Sequence, residues 1–386
     1  MIDPQAVPLS LYVHLPWCVR KCPYCDFNSH ESKTGLPEKE YVELLLDDFV
    51  REKARLNDDN QLVSIFIGGG TPSLFSGNSY SYLLSRIEEQ IPFSRDIEIT
   101  LEANPGTADT ERFAAYHDAG INRLSIGIQS FDDRCLDRLG RIHNSDEALS
   151  AIEIAKQVGF ENFNLDLMHG LPGQSSEQAV KDLQIGIESE PAHVSWYQLT
   201  IEPNTVFYHR PPTLPVENVL EEIQTNGHGL LEGKDFHQYE VSAYAMNNRE
   251  SIHNLNYWSF GDYLGIGAGA HGKLTLPTEN KIIRTRKVKQ PNHYFSALNG
   301  RDAEIKEIPM QERSVEFLMN TLRLREGFNQ SQFEKRTGLA FEEIAKRVES
   351  QIKKGLMQIV EVDDELSISA TSNGYRFLNS VLGGFL

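Results

Sequence analysis

Six short apolar segments in roughly the first half of the chain constrain its fold more than any other feature. They cover residues 9–15, 62–67, 97–101, 123–128, 162–168 and 194–199. Between them apolar residues recur at helical spacing, as Tyr41, Leu45 and Phe49 do within a predicted helix. Strands that alternate with helices predict a parallel sheet of class α/β. Six units rather than eight predict an open, partial (β/α)6 barrel.

Glycine and polar residues stand where these predicted strands end. The glycine run 68–70 follows the second strand, Glu102 the third and Gln129 the fourth, while Asp166 lies near the end of the fifth. The carboxyl ends of barrel strands form one rim, so we expect these residues to meet in one cleft. Consecutive glycines let the backbone approach a ligand closely, although a tight turn is the simpler interpretation.

Three of the four cysteines fall within eight residues, just after the first strand, as Cys18, Cys22 and Cys25, while Cys135 is alone. A disulfide framework would need an even number of cysteines and a secreted protein. A closed zinc site would need four ligands. Three thiolates with one open position suit a [4Fe–4S] cluster whose fourth iron is left for another ligand. We therefore predict that these three cysteines are cluster ligands.

The spacing C-x3-C-x2-C, with Tyr24 beside the last cysteine, resembles the signature of the radical S-adenosylmethionine (SAM) superfamily. The resemblance implies that the open iron binds the amino and carboxylate groups of SAM. It also implies that the predicted open barrel is a radical-SAM barrel, with the cluster at its rim.

The composition limits the classes of partner. The formal net charge of the 386 residues is −18 at pH 7, so we expect no binding to nucleic acid or non-specifically to an anionic membrane. No apolar run approaches the roughly 18 residues of a transmembrane segment, and residues 1–5 have no signal-peptide pattern. Clustered thiols indicate a reducing compartment, and we expect the protein in the cytoplasm.

The regular alternation ends after residue 202, and we predict three domains. Residues 1–202 form the barrel, 203–305 a connecting segment and 306–386 a smaller C-terminal α+β domain. Within the connecting segment, the small-residue sequence 265–272 predicts a loop. The mixed basic and apolar sequence 281–289 predicts an exposed strand.

The C-terminal domain has the pattern of a winged helix. Predicted helices over 311–322, 330–337 and 341–354 precede a two-stranded wing at 357–362 and 366–369, with a turn at Asp364 and Glu365. Winged helices often bind DNA. Residues 301–386 carry 12 Lys and Arg against 14 Asp and Glu, whereas a DNA-binding domain should be basic. This slight excess of acidic residues favours a winged helix that contacts another protein or covers the cleft, and not one that binds DNA.

A wider resemblance covers nearly the whole chain. It rests on Tyr12-Val-His-Leu-Pro-Trp-Cys18, Cys22-Pro-Tyr-Cys25, Gly68-Gly-Gly-Thr-Pro72, Glu102-Ala-Asn-Pro105, Arg123-Leu-Ser-Ile-Gly-Ile-Gln-Ser-Phe131, Leu139-Gly-Arg141 and Asn164-Leu-Asp-Leu-Met-His-Gly-Leu-Pro172. Together these segments resemble the oxygen-independent coproporphyrinogen III oxidases and their relatives. The resemblance implies SAM contacts, some of them to a second SAM in the oxidases, at Tyr12, Tyr24, Gly69, Gly70, Thr71, Glu102, Gln129, Arg141 and Asp166.

Two departures from the oxidases are similar to another branch of that family, the radical-SAM haem chaperones of the HemW type. The oxidases have a further cysteine where this chain has Phe27, and a long extension before the first strand, which begins here at residue 9. The chaperone branch also carries the motif H-N-x-x-Y-W, present here as His253-Asn-Leu-Asn-Tyr257-Trp258. The resemblance implies haem bound by His253, with Tyr257 and Trp258 against the porphyrin. A buried histidine beside a core tryptophan is the alternative.

The function implied by this resemblance is that of a haem-binding chaperone. It would hold a [4Fe–4S] cluster and SAM, and deliver haem to apo-haemoproteins such as respiratory enzymes, including those at the inner face of the membrane. The alternative is coproporphyrinogen oxidase activity, against which Phe27 and the short N-terminus argue. A radical enzyme with another substrate is a weaker third hypothesis. The sequence leaves open whether SAM is cleaved and whether the chain forms a homodimer.

Overall fold

The computed structural model describes residues 7–32, 35–56, 59–297, 300–362 and 365–386. The strands are β1 Leu9–Leu15, β2 Trp17–Cys18, β3 His30–Glu31, β4 Leu62–Gly69, β5 Phe93–Ala103, β6 Arg123–Gln129, β7 Phe163–His169, β8 His193–Gln198, β9 His237–Glu240, β10 Ala243–Ala245, β11 Asp262–Ile266, β12 His271–Leu276, β13 Lys281–Lys287, β14 Asp302–Glu307, β15 Phe328–Asn329, β16 Met357–Val362 and β17 Glu365–Ala370. The helices are α1 Glu38–Lys53, α2 Gly77–Glu88, α3 Thr110–Asp118, α4 Asp133–Arg138, α5 Ser145–Val158, α6 Ser176–Glu188, α7 Val206–His209, α8 Glu217–Glu232, α9 Ile252–Trp258, α10 Pro291–Ser296, α11 Met310–Thr321, α12 Gln330–Thr337, α13 Glu342–Lys353, α14 Ser372–Arg376 and α15 Leu378–Leu382.

Two predictions concern residues outside these ranges. Residues 1–5, in which no targeting signal was found, and Asp364 of the predicted wing both lie outside the described residues. Within the described ranges, no helix is both long enough and apolar enough to cross a bilayer.

The predicted parallel core is confirmed. Strands β1, β4, β5, β6, β7 and β8 lie side by side in chain order, each parallel to the next. Residues such as Leu11, Val13 and Leu165 are fully buried, because helices cover one face of the sheet and the barrel interior covers the other. The strand order of the sheet is linear and has two ends, so the barrel is open.

The loop predicted for 265–272 is wrong at both ends, because residues 271 and 272 begin strand β12 and only 267–270 lie between strands. Gly265 and Ile266 end strand β11, which pairs in parallel with β1 on the side opposite β4. A Cβ atom on Gly265 would lie 2.0 Å from the carbonyl oxygen of His271, so glycine lets β11 and β12 approach each other. Small residues give a weak strand signal, and the partner strand lies far away in sequence. The connecting segment therefore extends the barrel sheet.

The strand predicted as exposed over 281–289 is β13, and part of it is buried. The side chain of Lys287 is 1% exposed, and its Nζ lies 2.7 Å from an oxygen of Asp48 and 2.6 Å from one of Glu52. Asp302 adds a third carboxylate at 2.8 Å. Three acidic partners make burial of this lysine possible, which a basic sequence pattern alone does not reveal. The network fastens β13 to helix α1.

The C-terminal domain has the predicted helices and wing. Strands β16 and β17 pair in antiparallel fashion, and the short strand β15, which the sequence did not predict, joins β17. Phe317 and Phe333 lie in its own hydrophobic core. Phe260 of the connecting segment packs on Phe317 with ring centroids 5.6 Å apart. This contact places the domain next to helix α9.

Candidate functional site

The cysteine loop lies at the carboxyl ends of β1 and β4. Strands β2 and β3 pair in parallel at its base, and the backbone N–H of Cys25 donates to the carbonyl of Cys22 at 3.1 Å. Cys18, Cys22 and Cys25 are free thiols, and all three line one cavity of about 340 Å³, here called the first cavity.

Two basic side chains hold this loop in place. Nη2 of Arg20 donates to the carbonyl of Gly140 at 2.7 Å, and Nζ of Lys21 donates to the carbonyl of Phe27 at 2.8 Å. Burial, with the neighbouring cysteines, raises the pKa of the Cys18 thiol to about 11. The cations therefore fix the course of the loop, and the Cys18 thiol has to lose its proton when it binds a metal.

The glycine run forms the wall beside the cysteines. Gly69 has a φ of +119°, and a Cβ atom on Gly70 would lie 2.3 Å from the carbonyl oxygen of Trp17, so both positions require glycine. The N–H of Thr71 donates to the same carbonyl at 2.7 Å. The N–H of Gly69 donates to Oε2 of Glu102 at 3.0 Å. The run thus packs its backbone directly against the cysteine loop, with the N–H groups of Gly69 and Thr71 bonded within the protein.

Four carboxyl groups line the first cavity, and those of Glu102 and Asp166 have raised pKa values. Burial, together with the charge of Asp166, raises the pKa of Glu102 to about 7, although the Gly69 amide opposes this. Asp166 lies in the middle of β7, not at its end, and accepts hydrogen bonds from Ser125 and Asn164, both at 2.9 Å. Burial raises its pKa in spite of these bonds. A ligand with an ammonium group or hydroxyls would satisfy both carboxyl groups.

Gln129, Arg141 and Tyr24 close the opposite side of the first cavity. Gln129 ends β6 with a φ of +70°, and its Oε1 accepts from the hydroxyl of Tyr197 at 2.7 Å. Such a φ is rare outside glycine and turns the side chain away from the regular strand direction. Nη1 of Arg141 lies 3.7 Å from Sγ of Cys22. Burial raises the pKa of Tyr24, so its hydroxyl keeps its proton.

The structure thus brings together almost every residue predicted for the cluster and SAM. The lining of the first cavity includes Cys18, Cys22, Tyr24, Cys25, Gly69, Gly70, Thr71, Glu102, Gln129, Arg141 and Asp166. Tyr12 is different, because it lies on β1 in an adjoining cavity.

This second cavity has a volume of about 620 Å³. Asp26, Phe27, Gly69 and Glu102 line both cavities, so they form a common wall. The side chain of Phe27 is 61% exposed. The residue that distinguishes this sequence from the oxidases therefore lies between the two cavities.

The H-N-x-x-Y-W motif forms helix α9, and its three predicted haem residues line the second cavity. His253 is buried, with a side chain 8% exposed, while Tyr257 and Trp258 are half-buried. The ring of His253 lies 5.0 Å from that of Phe66 and 6.4 Å from that of Tyr12. The histidine is thus both a buried residue and a residue of a cavity wall.

The hydrogen bonds of His253 define its tautomer. Its Nδ1 lies 3.2 Å from Oγ of Ser64, whose own hydroxyl donates to Ser10 at 2.7 Å. Ser64 therefore accepts from Nδ1–H, which leaves the lone pair on Nε2. The described residues supply no hydrogen-bond partner for Nε2. Burial lowers the pKa of this imidazole to about 3, so the ring is neutral.

Glu98 orders the start of α9, and sequence reasoning missed it. Its two carboxylate oxygens accept from the N–H groups of Ile252 and His253, at 3.0 and 3.1 Å. Ser251 donates to it at 3.2 Å, and Nε of Arg123 lies 3.6 Å away. Glu98 is 4% exposed. An acidic residue inside an apolar strand segment was the available signal, because such a side chain is rarely buried without partners.

The donor set fits an iron–sulfur cluster. Three thiols from one loop face a wall of backbone and carboxyl groups, which leaves room for a further ligand. Across residues 7–32, 35–56, 59–297, 300–362 and 365–386, no three Cys, His, Asp or Glu side chains surround a single metal position. A cubic cluster does not need such a position, because each thiolate binds a different iron.

Comparison with known proteins gives matches over the whole chain. The Radical SAM superfamily matches residues 12–184, and the HemN C-terminal domain matches residues 308–376. "Heme chaperone HemW" of Haemophilus influenzae is 52% identical over 387 residues, covering 99% of both chains. That of Escherichia coli is 48% identical over 380 residues, covering 98% of both chains. That of Bacillus subtilis is 33% identical over 390 residues, covering 98% of this chain and 99% of the relative.

A solved structure shares the fold. Coproporphyrinogen III oxidase (HemN) from Escherichia coli, described as a radical SAM enzyme, has a TM-score of 0.81 at 21% sequence identity. The match covers 99% of this chain and 92% of that one. The barrel and the C-terminal domain therefore form an arrangement that also occurs in that enzyme.

Proposed function

The chain belongs to the HemW haem-chaperone family of the radical SAM superfamily, and on that premise we propose that it binds haem in the second cavity and delivers it to apo-haemoproteins. The observation that carries the proposal is His253, a neutral imidazole on the wall of a cavity of about 620 Å³, with Nε2 free of protein partners among the described residues. Neutral imidazole is a common axial ligand of haem iron.

The surroundings of His253 support this assignment. Tyr257 and Trp258 lie one helical turn further along α9 and present aromatic surface to the same cavity. Phe66 and Tyr12 add rings beside the imidazole. A flat apolar macrocycle with a metal at its centre would find both a ligand and contact surfaces here.

We propose that the first cavity holds a [4Fe–4S] cluster and SAM, which membership of the radical SAM superfamily implies. Cys18, Cys22 and Cys25 would hold the cluster. Glu102 and Asp166 would accept hydrogen bonds from SAM, and further contacts would come from Tyr24, Gly69, Gly70, Thr71, Gln129 and Arg141. When bound, such a cluster supplies one-electron chemistry. Tyr12 lines the second cavity, so it would affect SAM only indirectly, through the wall at Gly69 and Glu102.

We propose that each of the three predicted domains has its own role in binding these ligands. Residues 1–202 would hold the cluster and SAM, 203–305 would supply the haem ligand, and 306–386 would cover the second cavity. The acceptors would be apo-haemoproteins such as respiratory enzymes, reached from the cytoplasm or at the inner face of the membrane. The wall of Asp26, Phe27, Gly69 and Glu102, which belongs to residues 1–202, separates the two cavities, so a ligand bound in one cavity would affect binding in the other.

A haem titration of the anaerobically reconstituted protein tests the proposal. The wild type should bind haem with a Soret band typical of imidazole ligation. His253→Ala should lose that band and bind at least tenfold more weakly, while the absorbance of its cluster stays unchanged. His169→Ala is the matched control, because His169 is equally buried, at 4% exposure, but lies outside both cavities.

An activity assay on the same sample distinguishes a haem carrier from a coproporphyrinogen oxidase. An assay with coproporphyrinogen III should yield no product. Product formation would establish oxidase activity, and equal haem affinity in wild type and His253→Ala would exclude His253 as the ligand.

A further inference from the structure

The second cavity carries a group of cations that no resemblance or comparison assigns. Arg284, Lys289 and Arg323 line it and do not line the first cavity. Three acids line this cavity: Asp26 and Glu102 lie on the common wall, on the side of the cysteine loop, and Glu240 lies beside Arg323. In a chain with a formal net charge of −18, three cations against one acid make the other side of this cavity locally basic.

Arg284 is held at one end of this side. Its Nη1 donates to the hydroxyl of Tyr263 at 3.1 Å, and its Nε and Nη2 donate to Glu316 at 3.2 and 2.5 Å. These bonds fix the plane of the guanidinium group, and because five N–H donors are available they leave donors free. The side chain is 31% exposed, so the free donors are accessible.

Arg323 is held at the other end. Its guanidinium carbon lies 4.3 Å from the centre of the Trp258 ring, and Nη2 lies 3.6 Å from Glu240. Its Nε is buried and has no hydrogen-bond partner among the described residues. An unpaired buried donor on a cationic group favours an additional anionic ligand.

A continuous aromatic wall joins the two arginines. The ring of Trp258 lies 4.7 Å from that of Tyr257, which lies 5.2 Å from that of Tyr263. Arg323 stacks on the first of these rings and Arg284 bonds to the hydroxyl of the last. The wall therefore offers apolar surface beside two guanidinium groups, which suits a flat ligand that carries two carboxylates on one edge.

We propose that Arg284 and Arg323 bind the two propionate groups of haem, while Tyr257, Trp258 and Tyr263 contact its ring. This inference rests on the proposed haem function and adds the subsite that orients the ligand. Arginine suits the role because its planar fork can bind a carboxylate through two parallel hydrogen bonds.

The inference also gives the C-terminal domain a task. Arg323 follows helix α11 of that domain, and its carbonyl accepts from the hydroxyl of Tyr375 at 2.6 Å. Leu324 forms an isolated bridge with Glu240, and the N–H of Arg325 donates to the carbonyl of Tyr239 at 2.9 Å. The segment that bears Arg323 is thus joined to β9 on the barrel side. The domain completes the ligand site instead of merely covering it.

The test compares haem with haem dimethyl ester, whose propionates are uncharged. Arg284→Gln and Arg323→Gln, in the full-length protein, should each weaken haem binding about tenfold, because each variant loses a charge-assisted hydrogen bond to a propionate. Their affinity for the ester should equal that of the wild type. Arg286→Gln is the matched control, because Arg286 lies on the same strand and pairs with Glu304, outside the cavity lining. Arg323→Lys keeps the charge without the fork and should lose less than Arg323→Gln.

The outcomes separate the two proposals. A wild type that binds neither ligand would overturn the haem function itself. A wild type that binds haem and the ester equally well would overturn only the propionate subsite. Equal losses for both ligands in the arginine variants would also overturn it, because they would report damage to the cavity rather than loss of a carboxylate contact.

Discussion

At the scale of single residues, Glu102 lies on the wall common to both cavities. Its charge would therefore affect the proposed binding of SAM in one cavity and of haem in the other. Burial and the nearby Asp166 raise its pKa to about 7 from the ordinary 4.5. Between pH 4.5 and about pH 7, Glu102 is protonated more fully in the folded protein than in the unfolded chain. The free energy of unfolding must therefore fall as the pH rises through this range. The neutral carboxyl group is thus the form that the ligand-free fold prefers.

Glu102→Gln should remove this pH dependence. Below pH 4.5 the variant and the wild type should be about equally stable, and at pH 8 the variant should be more stable by about 2 kcal/mol, since some solvent contact reduces the full effect. Urea unfolding of the ligand-free wild type and variant at pH 4.5, 6 and 8 measures this difference in stability. Glu88→Gln, at an exposed position of α2, is the control. A difference that does not change with pH would refute the assignment of the raised pKa to Glu102.

The sequence indicated which residues would lie together where a residue type has few structural explanations. Three clustered cysteines and consecutive glycines are such a case, and the structure places them in one cavity. Arg284 and Arg323 carried no such signal, because an arginine in a strand or after a helix is ordinary. Their proposed role depends on the aromatic wall beside them, which only the fold assembles.

At the scale of elements, helix α9 is short and depends on a partner for its order. Seven residues form too few internal hydrogen bonds to be stable alone. Glu98 on strand β5 accepts three hydrogen bonds at its start and so fixes the helix that carries His253. The position of the proposed haem ligand is thereby set by the barrel.

Glu98→Ala should lower the free energy of unfolding by about 3 kcal/mol, because it leaves buried donors and Arg123 without their acceptor. Glu98→Gln keeps one acceptor, so it should lower the free energy of unfolding by less than Glu98→Ala does. A shift in the Soret band of bound haem in Glu98→Gln would report a movement of α9. Denaturant unfolding and haem spectra check both effects. Asp96→Ala, an exposed position on the same strand, is the control and should be neutral. A loss below about 0.5 kcal/mol for Glu98→Ala would contradict the role of Glu98.

Element prediction was good for the regular part of the barrel and poor at its edges. Six parallel strands follow from a repeated local pattern, so neighbouring sequence was sufficient. Strand β11 depends on β1, and strand β13 depends on the acidic residues of α1. Both are set by contacts distant in sequence, which local periodicity does not report.

At the scale of the whole molecule, two cavities with different chemistry share one wall. The first cavity offers thiols and carboxyl groups, and the second offers imidazoles, aromatic rings and arginines. The sequence pointed separately to the thiols, the carboxyl groups and the motif of His253, but not to the arginines. The adjacency of the two cavities follows from strand β11, which brings the connecting segment beside β1. On the proposed function, haem would bind next to the cluster site and not inside it.

Transfer of haem to an acceptor tests the central claim most directly. Haem-loaded protein is mixed anaerobically with the apo form of a respiratory haemoprotein, and the Soret band is followed over time. The account predicts that the band shifts to that of the acceptor when the proteins are mixed, and much more slowly when a dialysis membrane separates them. Haem that stays on the loaded protein, or that reaches the acceptor equally fast across the membrane, would contradict the claim that this chain delivers haem.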